Sequence, residues 1–199
     1  MHTQVEFRIA PEKAAIQDQI YAAQSFAKRN RREAFDALNL IFRAGVPPAP
    51  PLDGRYRGEL IALDVAPGLT QFAETMAGRW MPWQGKTFDA ARGTGDNLFT
   101  RDSLALAHVY WPLYRAYVDD TPQTYRAFAF RTYLGPGKSD PDRTVLKIDY
   151  DLAANPKATI RRVLDELVQI AGDLYLGKAH LHWWWGRWQT VAYFTLNKK

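Results

Sequence analysis

Tyr125-Arg126-Ala127-Phe128-Ala129-Phe130-Arg131-Thr132-Tyr133-Leu134 is followed by Gly135-Pro136-Gly137-Lys138-Ser139-Asp140-Pro141-Asp142, and then by the segment Thr144 to Asp151. Arg126, Phe128, Phe130 and Thr132 alternate with Tyr125, Ala127, Ala129, Arg131 and Tyr133, so the first segment has the period of two that marks a strand. The glycines and prolines mark a turn, and the returning segment completes a β-hairpin. Further along, Leu174 to Trp185 and Trp188 to Asn197 form a second hairpin about Gly186-Arg187. Between the two, Ala158 to Ala171 fits a helix by Ile160, Val163, Leu164, Leu167 and Val168. It also fits a turn followed by a strand feeding Gly172-Asp173, the reading preferred here.

Working towards the N-terminus, Arg55 to Val65 alternates as a strand and Trp83 to Asp89 reads as another. Gly93-Thr94-Gly95-Asp96-Asn97 reads as a turn. Pro67 opens a short helix with Leu69, Phe72, Met76 and Trp80 at helical spacing. Asp102 or Ser103 caps another, striped by Leu104, Ala107, His108, Trp111, Tyr114 and Val118, with Pro112 predicting a kink or an end. Helix starting at Pro11 is predicted as far as Ala44, in one bent piece or two. Ile16, Ile20, Ala23 and Ala27 form one stripe and Phe35, Leu38, Ile41 and Phe42 another, on either side of Lys28-Arg29-Asn30-Arg31-Arg32. Gly45-Val46-Pro47-Pro48-Ala49-Pro50-Pro51 stops helix formation. The expected organisation is a helical arm over 1–45, a proline-rich linker over 46–53 and an antiparallel β-barrel domain over 54–199. The fold class is mainly β with a helical arm (α+β), its sheet closed into a barrel or strongly curved to cover its apolar face.

Gly54, Tyr56 and Gly58 at a strand start, a helix after that strand, Trp83-Gln84-Gly85-Lys86-Thr87-Phe88, and the closing Val191-Ala192-Tyr193-Phe194 together resemble the lipocalin-like (calycin-type) β-barrel proteins over about residues 54–199. The resemblance implies an apolar cup for a small hydrophobic ligand and transfers no catalytic residue.

The 199 residues allow about one domain plus an appendage. A hydrophobic share of 47% and a charged share of 24% argue against a disordered chain. The absence of cysteine excludes disulfides, thiolate nucleophiles and Cys-based metal centres. Net charge +5 favours anionic partners but falls short of a nucleic-acid signature, and no RNP-type or zinc-finger motif is present. Glu6, Arg8, Glu12, Lys13 and Asp18 interrupt the first 20 residues where a signal peptide would be apolar, which makes a cytoplasmic location the expectation.

Aromatic residues make up 14% of the chain. Phe88, Tyr125, Phe128, Phe130, Tyr150, Tyr175, Tyr193 and Phe194 lie on β segments, where they either fill a core or line a cavity. Candidate ligand-binding residues are Trp83, Phe88, Tyr125, Phe128, Phe130, Tyr150 and His180, with Lys86, Arg126, Lys178 or Tyr193 fixing a polar end; if the chain is an enzyme, His180 or a carboxylate acts with Tyr or Lys. His180 and His182 share a strand face, but Lys178 on that face would repel a cation, so neither metal nor cofactor is expected. Gly85-Lys86 and Gly177-Lys178 lack the spacing of a phosphate loop. Trp183-Trp184-Trp185-Gly186-Arg187-Trp188 either packs on the barrel or faces a membrane interface or partner. The function expected is binding of a small hydrophobic or amphipathic molecule, fatty-acid-like or isoprenoid-like. The alternatives are a cofactor-free isomerase, cyclase or hydrolase on the same scaffold, and an interaction module using the tryptophan hairpin.

Overall fold

The computed structural model describes residues 3–27, 29–64 and 83–198, with side chains in the first helix from Lys13 onward. Two helices, α1 (Thr3–Ala27) and α2 (Arg31–Ala44), precede strands β1 (Gly54–Leu63), β2 (Trp83–Asp89) and β3 (Thr94–Thr100). A short helix α3 (Leu104–Tyr110) leads to β4 (Val118–Thr121), β5 (Thr124–Pro136), β6 (Thr144–Asp149), β7 (Val163–Ala171), β8 (Leu174–His182) and β9 (Trp188–Lys198). Antiparallel pairing runs β3-β2-β1-β9-β8-β7-β6-β5, and β3 pairs again with β5, so eight strands close a barrel while β4 lies beside β5. Closure removes the unpaired strand edges that an open sheet would present.

Alternation divides each strand between the interior and an outer face. On β7, Asp165 and Leu167 point inward whereas Glu166 and Val168 point outward, and all four are buried. The outer face is buried because the helical arm lies on it. Ile20, Ala23, Leu38 and Phe42 pack against Ile61, Val145, Val168, Leu174, Leu176 and Tyr193, so the two stripes read from the sequence are the faces that dock. Two helices form, because Asn30 caps the second: its Oδ1 accepts from the Glu33 N–H at 3.3 Å. After α2, Val46 exchanges backbone hydrogen bonds with Gln169, tying the proline-rich segment to β7.

Several sequence expectations change. The first helix begins at Thr3, ahead of Pro11. Gly93 to Asn97 is not a turn: the turn ends at Gly93 and Thr94 opens β3. Gly95 is needed there for close approach, since a Cβ would sit 2.5 Å from the Phe130 ring. The helix after Ser103 ends at Tyr110, ahead of Pro112, and Val118 belongs to β4 instead of the helical stripe. As preferred from the sequence, by contrast, Ala158 to Ala171 forms a 3₁₀ turn over Ile160–Arg162 followed by β7. The helix expected from Pro67 to Trp80 lies outside the described residues.

The arm is also held by ions. Lys178, fully buried on the outer face of β8, donates to Asp140 Oδ2 at 2.6 Å and to Asn39 Oδ1 of α2 at 2.5 Å, and its ammonium sits 4.2 Å from the centre of the Phe42 ring. Arg43 reaches Asp140 at 2.6 Å and Asp142 at 2.7 Å. These contacts bind α2 to the β5–β6 turn as well as to the sheet.

Candidate functional site

The barrel interior divides into a filled half and an open half. In the filled half Tyr56, Phe88, Phe130 and Tyr175 interlock, with ring centres 5.4 to 5.6 Å apart. This is the edge-on and tilted packing that aromatic rings favour. On the β3–β5 side Phe99, Tyr125, Tyr117, Tyr114, Trp111 and Phe128 form a continuous chain of ring contacts. Between these packed regions a cavity of about 120 Å³ remains, walled mainly by Leu60, Phe128, Ile160, Val163, Leu181 and Phe194. It lies towards the end of the barrel from which the 183–187 hairpin and the 150–162 connection leave.

Partly exposed Asp64, paired with Arg31, is among the residues lining the cavity. The cavity's buried polar region is built around Lys86. The side chain is 2% exposed, and its ammonium donates to Asn97 Oδ1 at 2.9 Å, to Asp165 Oδ2 at 2.9 Å and to the Tyr150 hydroxyl. The rings of Trp83, Phe130, Tyr150 and Phe194 surround it at 5.1 to 5.4 Å from their centres. Burial pulls the lysine below its ordinary pKa and the Asp165 charge opposes that fall. Burial also pushes the Tyr150 phenol well above its usual range, with the Asp165 charge adding to the rise, so the phenol keeps its proton.

Hydrogen-bond capacity in this cluster can be counted atom by atom. The three Lys86 protons are engaged as described. Trp83 Nε1–H donates to Asn97 Oδ1 at 3.1 Å, and Asn97 Nδ2 donates to the Phe128 carbonyl at 3.2 Å and to the Tyr150 oxygen at 3.1 Å. The Tyr150 proton goes to Asp165 Oδ2 at 3.0 Å, the nearest charged acceptor. Both of these donors to Asp165 choose the same oxygen. Asp165 Oδ1 receives no bond from a described residue, and Asp165 lines the cavity, so among the described residues Oδ1 is the acceptor left over in the cluster.

Phe128 shapes the wall through an unusual backbone. Its φ of 55° lies in the left-handed region, which costs a non-glycine residue about 1–3 kcal/mol. It sits where β5 carries an extra residue relative to β3, between the pairs Gly95↔Phe130 and Asn97↔Ala127. The bulge lets Ala127 and Phe128 both face inward. The conformation is held from two sides, by the Phe128 N–H donating to the Tyr114 hydroxyl at 2.7 Å and by Asn97 donating to the Phe128 carbonyl.

Of the candidates read from the sequence, Trp83, Lys86, Phe128 and Tyr150 meet at this cavity. Phe88, Tyr125 and Phe130 are interior but pack against other rings. Arg126 points outward and pairs with Asp96 at 3.0 Å. Lys178 and Tyr193 lie on the outer face beneath the arm, with Tyr193 contacting Phe35 and Asn39. His180 is also outside, 3.1 Å from Glu166 and 3.2 Å from the Thr190 hydroxyl, and His182 stacks on Trp188. The expectation that Arg126, Lys178 or Tyr193 fixes a polar end inside the cup, and that His180 takes part in binding there, is therefore corrected, because strand parity puts all four on the other side of the wall. Asn97 and Asp165 complete the site but are not among the ligand-binding candidates read from the sequence. Asn97 falls in a segment whose glycines read as a turn. Asp165 carries a signal, since neighbouring Asp165 and Glu166 stand among apolar residues in both phases of the strand and must therefore be buried and paired on opposite faces.

At the hairpin tip Trp183 is buried, stacks on Trp185 at 4.4 Å and donates to Gln189. Trp184 and Trp185 remain 75% and 55% exposed. Among the described residues no group of three or more His, Asp or Glu side chains is placed to hold a metal, and no helix is long and apolar enough to cross a membrane. Compared with protein-family models, with curated proteins and with solved structures, the chain matches none.

Outside the wall, Glu166 is completely buried and accepts from Lys147 Nζ and from the Lys138 backbone N–H. Burial alone would raise its pKa, but the adjacent His180 and Lys147 outweigh that and hold it at about 2. A carboxylate depressed in this way contributes stability that is fully present above its unfolded value near 4.5 and is lost as pH falls through about 2. Glu166→Gln is expected to cost about 3 kcal/mol at neutral pH, where it strands two buried partners. Urea titrations at several pH values should show the gap between the two proteins narrowing from pH 4.5 towards 2. A gap that is constant with pH would remove Glu166 from this role.

Proposed function

We propose that this protein binds a small, largely apolar molecule inside the barrel, with any polar end turned towards Lys86 and Asp165. The observation that carries the reading is the cavity itself: apolar walls converging on one buried, internally paired polar cluster. Binding pockets commonly have this composition, with an apolar lining and few, well-placed polar groups. The left-handed Phe128 supports it too, since strained backbone tends to collect where a ligand is held. A volume of about 120 Å³ suits a group near the size of one benzene ring; a dry apolar cavity of roughly 150 Å³ is known to take benzene. Affinity would come chiefly from removing apolar surface from water, at about 25 cal/mol per Å². The closed barrel is compatible with the lipocalin-like resemblance, which points to the same use of the interior.

Ala179 lines the cavity opposite Asp165 on the neighbouring strand, and enlarging it would fill the space beside the Lys86 cluster while leaving the cluster's own side chains in place. Ala179→Leu is expected to reduce binding of toluene at least tenfold, by calorimetry or tryptophan fluorescence, with the circular dichroism spectrum and thermal midpoint close to those of the parent. Unchanged binding would place the ligand elsewhere.

A second reading concerns how such a molecule arrives. Leu113, 89% exposed, and the exposed Trp184 and Trp185 lie on connections at the cavity end of the barrel. The connections 101–117, 151–162 and 183–188 carry Arg101, Arg115, Lys157, Arg161, Arg162 and Arg187 against Asp102 and Asp151, and of these cations Arg101 pairs with Asp119 on β4 and Arg161 with Asp151. Indole rings beside cations suit the interface of an anionic bilayer. Flotation with vesicles containing an anionic lipid should carry the parent protein upward, and Trp184→Ala with Trp185→Ala should abolish it. A parent protein that stays at the bottom of the gradient ends this reading.

A further inference from the structure

We infer that the molecule bound in the barrel presents a hydrogen-bond donor, a hydroxyl or amino group, to Asp165 Oδ1, and that the cavity discriminates against carboxylates and carbonyl compounds of the same skeleton. The inference rests on the binding function proposed above and adds the class of ligand. Its basis is the proton inventory of the cavity's polar cluster. Lys86 commits all three protons to Asn97, Tyr150 and Asp165. Trp83 Nε1–H and both protons of Asn97 Nδ2 are likewise engaged within the cluster or by the Phe128 carbonyl. The Tyr150 proton is held by Asp165 Oδ2. Among the described residues the cluster therefore has no donor left to offer a ligand.

The acceptors show the complementary pattern. Asn97 Oδ1 already takes Trp83 and Lys86, the Tyr150 oxygen takes Lys86 and Asn97, and Asp165 Oδ2 takes Lys86 and Tyr150. Within the cluster, Asp165 Oδ1 accepts from no described residue, and it belongs to a residue 5% exposed that lines the cavity. A ligand hydroxyl or amine placed there gains a charge-assisted hydrogen bond in a site shielded from water. A ligand carbonyl finds no donor, and a ligand carboxylate meets the negative oxygen of Asp165 at close range. A lysine in an apolar cup would ordinarily suggest an acidic ligand. Here the lysine is already neutralised by Asp165, and the surplus capacity of the pair is that of an acceptor.

Four probes with one ring separate the possibilities: benzyl alcohol, benzaldehyde, benzoate and toluene, titrated into the protein by calorimetry. Benzyl alcohol is expected to bind on the order of tenfold more tightly than toluene and benzaldehyde, with benzoate weakest, as one hydrogen bond to a charged group allows. Asp165→Asn supplies a second arm. Because Lys86 and Tyr150 both donate to one oxygen of the residue at this position, the amide oxygen of the substituted side chain must take that place, which turns its NH₂ into the cavity. The preference should then invert in favour of benzaldehyde. If the parent binds toluene, benzyl alcohol and benzaldehyde equally, or benzoate best, the ligand-class inference is overturned while apolar binding stands. If none of the four binds, including toluene, the binding function itself falls. Should Asp165→Asn fail to fold, the ranking of the four probes on the parent protein still decides the matter.

Discussion

A lysine ammonium enclosed in a barrel of aromatic rings is the constraint around which the interior is arranged. An unpaired charge in such a place would be far too costly to retain, so Lys86 requires Asp165, and the pair requires Asn97 and Tyr150 to complete its hydrogen bonds. Those four residues come from β2, β3, the end of β6 and β7, so the cluster stitches together strands from around the barrel. It also limits how the rings can fill the space. An apolar side chain packed over Asp165 would leave its second oxygen without a partner, and among the described residues the cavity lies beside this cluster.

Two buried polar systems stand back to back across the wall, and β7 carries both. Asp165 serves the cavity; Glu166, one residue on, serves the outer face, where Lys147 and the Lys138 backbone hydrogen-bond its Oε1 and His180 lies 3.1 Å from its Oε2 beneath the β5–β6 turn. Beside it, Lys178 and Asp140 connect the sheet to α2. The helical arm is thus more than an apolar lid on the outside of the barrel: its removal would expose the stripe under Leu38 and Phe42 and also open ion pairs that depend on low exposure. Rigidity on the outer face helps to keep the inner face in register, because the same strand supplies both.

The architecture is largely legible in the sequence because strand alternation and turn residues are local signals. The 125–151 hairpin, the 174–197 hairpin and the docking stripes on α1 and α2 all follow from spacing. What escapes depends on long-range fit. Gly93–Asn97 looks like a turn from its glycines, yet Thr94 opens β3 and Gly95 is there to admit the Phe130 ring from across the sheet. At the site, sequence nominates Lys86, Tyr150 and Phe128 by type and strand placement. It does not assign inside and outside, because a bulge or a one-residue shift exchanges the two faces. Lys178, His180 and Tyr193 therefore group with Lys86 in the sequence although the wall separates them. Asp165 is hidden in a strand buried on both sides, where alternation loses its contrast.

These features describe a barrel whose interior is kept partly open by a satisfied but acceptor-rich polar cluster. The most direct test of that central claim is a crystal structure of the protein under xenon pressure, since xenon enters dry apolar cavities and reports their location without relying on any choice of ligand. The account predicts a xenon atom among Phe128, Leu181 and Phe194, with Lys86 and Asp165 paired beside it. A barrel interior closed by side chains, with no xenon between these residues, would contradict it.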